Sequence, residues 1–353
     1  MTEPTDAWFD RAAGTMAAKP DAVDPTCMAA ILARHYGLVG QITLLASEIE
    51  RTAEIALPNG RRLILKTSTW DGAADSFAFQ SATLAALQKT PGLHVPAVLP
   101  TEAGDLVFEG DGVRGYLQTR LEGEALHHLA PSTARRRQIG AALGLLSRAL
   151  AGVSAPGARR PVLWNIACWP RLIQFANDLP DGQVQPLVHA AIEDHLHRTL
   201  PLLKQVPWQI THNDPSPHNM LQTPQGIGFI DFGDGGWSPR LQDLAIAASH
   251  FVSDPGLPLG GAENLIAGFA GAQQLTGPEC RALVGLIRAR QAAMILINNW
   301  RARLFPAEAA YITKNVARAE RGLEILAALT PAAAEAAVRA AAGSGTPCDR
   351  LTG

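Results

Sequence analysis

Asp214, Asn219 and Asp231 are the residues of this chain whose types and spacing suit a defined chemistry. Asp214 precedes Asn219 by five residues within THNDPSPHNML, and Asp231 follows twelve residues after Asn219, at the end of the apolar run Ile227 to Ile230. A carboxylate, an amide and a second carboxylate in that order match the needs of phosphoryl transfer. One carboxylate must orient the attacking hydroxyl and accept its proton, and hard oxygen ligands must hold the one or two Mg²⁺ ions that neutralise charge on the phosphate oxygens. Met220-Leu221 and Gly228-Phe229-Ile230 flank the turn-prone Thr223-Pro224-Gln225-Gly226. A hairpin there brings Asn219 and Asp231 side by side.

Such groups need a scaffold. Met28 to Tyr36 has helical apolar spacing and ends at Gly37, a stop signal. Gln41 to Leu45 and Ala53 to Leu57 are predicted strands, and Leu57-Pro58-Asn59-Gly60-Arg61 is a hairpin turn into Arg62 to Lys66. Phe77 to Leu87 carries apolar residues at i, i+3 and i+4, which predicts a helix packed on an antiparallel sheet. Val95-Pro96, Leu106 to Phe108 and Tyr116 to Thr119 supply further strands. Beyond them the chain is helical, with Ser132 to Leu150, Val184 to Leu203 and Pro278 to Trp300 enclosing the expected acceptor pocket.

The His-x-Asp-x4-Asn loop, the Ile-Asp-Phe-Gly-Asp element and Asp243-Leu244-Ala245 resemble the aminoglycoside phosphotransferase and choline kinase group of small-molecule kinases. Within it, His212-Asn213-Asp214 with Gly233-Asp234 and Ser238-Pro239-Arg240 is most similar to hydroxylysine kinase and its bacterial relatives. The resemblance covers residues 28 to 330 and is strongest in the catalytic third. It implies an α+β, protein kinase-like two-lobed fold: an N-lobe of antiparallel sheet plus helix at 26–120 and a mainly helical C-lobe at 121–330. Residues 1–25, with little periodicity, are expected to be a flexible segment, and 331–353 a C-terminal helix and tail.

The same resemblance implies roles. Asp214 is the expected catalytic residue, Asn219, Asp231 and Asp234 the metal site, and His212 and Asp243 structural support for the loop. Lys66 occupies the nucleotide-phosphate position, although an ordinary strand-end lysine is the bland alternative. In kinases such a lysine is fixed by a helix glutamate; here that position holds Gln80, leaving a neutral hydrogen bond. The phosphate-covering turn, residues 46 to 52, lacks glycine. Ser47 and Thr52 are its candidate donors, while Glu48 and Glu50 repel bare phosphate and are placed to hold Arg51. Backbone groups of Gln118 to Arg120 are expected to bind the base, without separating ATP from GTP. Trp164-Asn165 stands where relatives tend to have Trp-Asp, so both are candidate substrate residues, with a core aromatic as the alternative for Trp164. Trp300 and Arg301, beside Asn298, Asn299 and Tyr311, are candidates for an amino-acid carboxylate, with plain surface exposure as the alternative.

Other chemistries fit less well. His212-x-Asp214 with His218 or His250 resembles an iron facial triad, but that needs a jelly roll of many strands, and everything after Leu241 is helix-rich. The near balance of 30 basic and 32 acidic residues gives no footprint for nucleic acid. Cys27, Cys168, Cys280 and Cys348 are too widely spaced for a zinc motif, and reduced thiols in a cytoplasm are expected. No segment is long and apolar enough to span a membrane, and the N-terminus lacks the pattern of a signal peptide. The expected partners are a nucleoside triphosphate and a small hydroxyl acceptor, an amino alcohol or hydroxylated amino acid; the sequence does not address oligomeric state. The alternatives are an antibiotic or natural-product phosphotransferase, for which Asp178, Asp181, Glu193, Asp194 and Glu308 are too scattered to form a cation pocket, and a non-catalytic nucleotide-binding scaffold.

Overall fold

Helix α1, Asp6–Ala17, forms inside the segment expected to be flexible. Phe9, Ala12 and Met16, at i, i+3 and i+7, are buried, and the Phe9 ring lies 5.9 Å from that of Phe175 in the C-terminal part of the molecule. An apolar stripe of only three residues is enough to dock a short helix when a large core receives it. The computed structural model describes residues 6–19, 23–47, 49–180, 182 and 184–344; Glu48, Asp181 and Cys348 lie outside them.

Helix α2, Pro25–Tyr36, starts where the Asp24 carboxylate accepts the Thr26 N–H at 2.6 Å and stops at Gly37, whose φ of 60° suits glycine. Strands β1 (Gln41–Leu45), β2 (Arg51–Ala56) and β3 (Arg62–Ser68) follow as an antiparallel meander, with helix α3 (Ala73–Leu87) next. Strands β4 (Val98–Leu99), β5 (Phe108–Gly110) and β6 (Val113–Thr119) complete the sheet in the order β1-β2-β3-β6-β4, with β5 also on β6. Side-chain alternation divides the sheet's two faces. Leu63, Leu65 and Leu117 pack with Met28 and Leu32 of α2, whereas Tyr116 joins Phe77 and Phe79 of α3 in the main core.

The rest is mainly helical. Strand β7 (Glu124–Ala125) precedes α4 (Thr133–Leu150), and a 3-10 stretch at Ile166–Asp178 leads to α5 (Val184–Asp194) and α6 (Leu200–Leu203). Then come β8 (Trp208–Thr211), β9 (Met220–Thr223), β10 (Gly226–Phe229) and β11 (Gly236–Pro239). β9 pairs with both β10 and β7, and β8 pairs with β11. Helices α7 (Gln242–Ser249), α8 (Glu263–Ala272), α9 (Gly277–Leu304), α10 (Ala309–Ile312), α11 (Val316–Ala327) and α12 (Pro331–Gly343) complete the described elements. α4 crosses α8 at Gly140, where a Cβ would meet the Leu265 carbonyl oxygen at 2.0 Å, so only glycine permits the contact. The 28-residue α9 is the buried axis of this lobe, opened by a Thr276–Glu279 capping box. Glu279 also receives Arg240 at 2.6 and 2.7 Å, tying the end of β11 to the start of α9. Among the described residues no single helix is long and apolar enough to cross a membrane.

Candidate active site

β8 delivers the chain to His212 and Asn213, and Asn213 turns with φ of 63°. A left-handed non-glycine residue costs about 1–3 kcal/mol unless its surroundings fix it. Here they do: Asp243 on α7 accepts the N–H groups of His212 and Asn213 at 2.9 and 2.8 Å, and Asn213 Nδ2 donates to the Asp234 carbonyl at 3.1 Å. Burial pushes the Asp243 carboxyl up to about 6 against these two donors. His212 is buried and its imidazole falls to about 4, so the ring is neutral. Its Nε2 donates to the Ile230 carbonyl at 3.0 Å while Nδ1 accepts the Asp214 N–H at 3.3 Å. With both nitrogens engaged, His212 braces the loop and leaves no lone pair for a metal triad.

Asp214 projects from the end of that loop. Asn219 Nδ2 donates to its backbone oxygen at 3.1 Å and to Oδ2 at 2.6 Å, and Arg290 Nη2 on α9 lies 3.5 Å from Oδ1. The predicted hairpin is present as β9 and β10, closed by the Ile230 N–H on the Asn219 carbonyl at 3.0 Å. Asp231 follows with φ of 62°, and its Oδ1 receives Lys66 Nζ at 2.8 Å and the Gly233 N–H at 3.3 Å. Lys66 holds the Asp231 carboxyl below the usual carboxylate range. Burial works against charge on Lys66, yet Asp231 and Glu50 outweigh it and keep the ammonium well above its ordinary pKa.

The support of Lys66 differs from expectation. Gln80 Oε1 does accept from Nζ at 3.1 Å, and Tyr116 donates to the same oxygen at 2.9 Å. The missing charge comes from Glu50 of the β1–β2 turn, whose Oε2 lies 3.1 Å from Nζ and whose Oε1 accepts Gln80 Nε2 at 2.6 Å. Glu50 therefore turns to Lys66 rather than to Arg51. Ser47 Oγ donates to the Glu50 carbonyl, and Ser47 and Thr52 both line the cleft. Arg160 fastens the other side, donating to the Gly233 and Gly235 carbonyls with its guanidinium over the Phe79 ring at 4.5 Å.

One cavity of about 940 Å³ connects these groups, lined by Lys66, Asp214, Asn219, Asp231, Asp234 and Trp164 among others. Gln118 and Arg120 also line it, but the hinge is less open than expected. The N–H groups of Thr119 and Arg120 are bonded to the Ala97 and Arg62 carbonyls at 2.8 and 3.0 Å, and the Arg120 side chain pairs with Glu54 at 2.8 Å. Three substrate candidates lie elsewhere. Asn165 is buried outside the cavity, capping the 3-10 stretch by accepting the Ala167 N–H at 3.0 Å and donating to Ser238 Oγ at 3.3 Å. Trp300 stacks on Phe175 at 4.4 Å in the core, and Arg301 is buried away from the cavity rather than exposed.

The α9 residues that do line the cavity are Arg290, Met294 and Asn298, an i, i+4, i+8 stripe. Asn298 belonged to the expected cluster; Arg290 did not, although a lone arginine on the stripe of Asn298 was a usable signal. Glu50 was visible as a charge that repels phosphate and as a partner for Arg51, not as the partner of Lys66. Arg160 carried no sequence signal, because its partners in the site, Gly233 and Gly235, are backbone carbonyls more than seventy positions away.

A sequence profile of the phosphotransferase enzyme family matches residues 41–284. Hydroxylysine kinase of Mus musculus is 24% identical over 223 residues, covering 58% of this chain and 59% of that protein. Its Xenopus laevis counterpart is 24% identical over 165 residues, 44% of each chain. The chain thus matches less than two thirds of the length of these relatives. Among solved structures, amicoumacin kinase superposes with a TM-score of 0.62 at 14% identity, covering 83% of this chain and 93% of that one. A microcompartment-associated aminopropanol kinase gives 0.64 at 20% identity, covering 84% and 95%. These likenesses establish the kinase-like fold.

Proposed function

Because the chain belongs to the phosphotransferase enzyme family, we propose that it is a small-molecule kinase moving the γ-phosphoryl group of ATP or GTP to a hydroxyl of a hydroxylated amino acid or amino alcohol. The observation that carries this reading is the convergence of Asp214 and the Lys66–Asp231 pair on one cavity. Positioning and charge neutralisation are most of what phosphoryl transfer asks of a protein.

Lys66 supplies a fixed positive charge for the nucleotide phosphates, and Glu50 and Gln80 hold it in place. Asp214 orients the acceptor hydroxyl and takes its proton as the new oxygen–phosphorus bond forms and the bond to the leaving nucleoside diphosphate breaks. The oxygen donors fit Mg²⁺. Asn219 spends its amide nitrogen on Asp214, which leaves Oδ1 as a ligand, and the Asp231 carboxylate is half-exposed beside it. When bound, Mg²⁺ supplies positive charge to the phosphate oxygens; Asn219 and Asp231, with Asp234 beside them, are the residues that would hold it. Glu50 replaces the carboxylate that Gln80 lacks, which favours a working site over a nucleotide-binding scaffold.

The hydroxylysine kinase relatives support the acceptor class. The test is transfer from ATP and from GTP to 5-hydroxylysine, homoserine, choline, ethanolamine, sugars and aminoglycosides. Transfer to a hydroxylated amino acid or amino alcohol is expected. No transfer, together with no thermal shift on adding nucleotide and Mg²⁺, would remove the reading.

A further inference from the structure

Arg290 is nine-tenths buried or more, lines the cavity beside Asp214, and is only partly used by the protein. Its Nη2 lies 3.5 Å from Asp214 Oδ1, at the outer limit of an ion pair. Nε and Nη1 have no hydrogen-bond partner among the described residues. Leaving donors of a buried guanidinium unmade is costly, so a missing partner is a reasonable demand of the site. The guanidinium carbon stands 4.5 Å from the centroid of the Trp164 ring, a contact that supports the cation without using its N–H donors and leaves them for a planar, two-oxygen partner.

The surroundings point the same way. The cavity wall contributed after residue 249 holds Arg290 and Lys314 with Met294 and Asn298, and no carboxylate among the described residues. Arg318 lies just behind, its Nη2 3.6 Å from Met294 Sδ. A pocket for a polycationic acceptor would be lined with acids; this wall is basic.

Resting on the kinase reading above, we propose that the acceptor carries a carboxylate and that Arg290, oriented by Trp164, is the residue that binds it, next to the hydroxyl that Asp214 activates. The donor chemistry selects a hydroxylated amino or carboxylic acid over a simple amino alcohol or an aminoglycoside. Arginine and carboxylate meet through two parallel hydrogen bonds, which also set the distance from the acid group to the reacting hydroxyl.

The experiment compares matched acceptors, 5-hydroxylysine and homoserine against their carboxamides, in the wild-type protein, Arg290→Lys and Arg290→Gln. The readout is the ratio of kcat/KM for acid over carboxamide within each protein, so any general loss from disturbing Asp214 cancels. The wild type is expected to favour the acid by roughly a hundredfold, Arg290→Lys to keep part of that ratio, and Arg290→Gln to bring it close to one. Arg290→Lys preserves the buried charge and guards against loss of folding in the glutamine variant. Equal use of acid and carboxamide by the wild type, or an unchanged ratio in Arg290→Gln, overturns the carboxylate assignment while leaving the kinase standing. Nucleotide-dependent stabilisation without transfer to either acid, and with transfer to ethanolamine or an aminoglycoside, overturns it as well. Absence of both nucleotide binding and transfer removes the kinase reading itself.

Discussion

Glu50 Oε2 lies 3.1 Å from Lys66 Nζ, so the β1–β2 turn supplies the carboxylate that α3 lacks. Both side chains are largely withdrawn from solvent, at 12% and 8% exposure, and a pair at that depth is screened far less than one on the surface. The turn and the lysine are thereby linked: whatever orders residues around Glu50 also sets Lys66.

Glu50→Gln should lower kcat/KM for nucleotide by roughly thirtyfold, the low end of what removal of one partner of a buried charge pair costs, because Lys66 keeps Asp231. Gln80→Glu alone adds a second carboxylate against Glu50, whose Oε1 is 2.6 Å from Gln80 Nε2, and should also be harmful. Combined, the two substitutions move the charge from turn to helix and should recover much of the loss, a coupling that a double-mutant cycle measures. Wild-type kinetics in Glu50→Gln would remove Glu50 from the positioning of Lys66.

Asp214→Asn keeps an oxygen to accept Asn219 Nδ2, now at 2.6 Å, and so should fold. It removes the group proposed to take the acceptor proton. Transfer should fall by about 10²- to 10⁴-fold, while nucleotide still raises the melting temperature. Full transfer activity in this variant would sink the assignment.

Asn165→Ala separates a structural from a substrate role. The side chain caps a 3-10 stretch and reaches Ser238, so its loss should cost about 1 kcal/mol of stability, measured by urea unfolding. The acceptor KM should stay unchanged. A large rise in KM at unchanged stability would return Asn165 to the acceptor pocket.

The parts of the site legible in sequence are those that the chain brings together locally. Asp214 and Asn219 share one loop, and a four-residue turn sets Asn219 beside Asp231, so spacing alone carries the geometry. The β1 to β3 meander was legible for the same reason: Asn59-Gly60 is strong turn chemistry between alternating strands. What escaped depends on distant packing. α1 has three apolar anchors and gains its stability from Phe175, far along the chain. On α9, the sequence points to Arg301 as a candidate for a substrate carboxylate, yet the arginine of that helix that lines the cavity is Arg290, eleven residues and about 16 Å away along the axis. Helical spacing identifies a face, but which turn of that face meets the cavity is decided by the loops packed against it.

His195, which does not line the cavity, provides a separate stability test. It is fully buried, 5.8 Å from the Trp169 ring, and neither ring nitrogen has a hydrogen-bond partner among the described residues. Burial lowers its pKa to about 4 from an ordinary 6.5. Between those values the unfolded chain binds a proton that the folded protein refuses, so stability from this group is present above pH 6.5 and is lost as pH falls towards 4. At pH 5 the loss amounts to about 2 kcal/mol. His212, held at about 4 by the same burial, adds in the same direction, while Asp243, raised to about 6, opposes them below that pH. His195→Leu removes one titrating group and two unsatisfied nitrogens at similar volume. Its stability at pH 7 should equal or exceed that of the wild type, and the fall in urea midpoint from pH 7 to pH 5 should be visibly smaller. If the two proteins lose the same stability over that interval, His195 is protonated in the folded state at pH 5 and its burial does not exclude the charge.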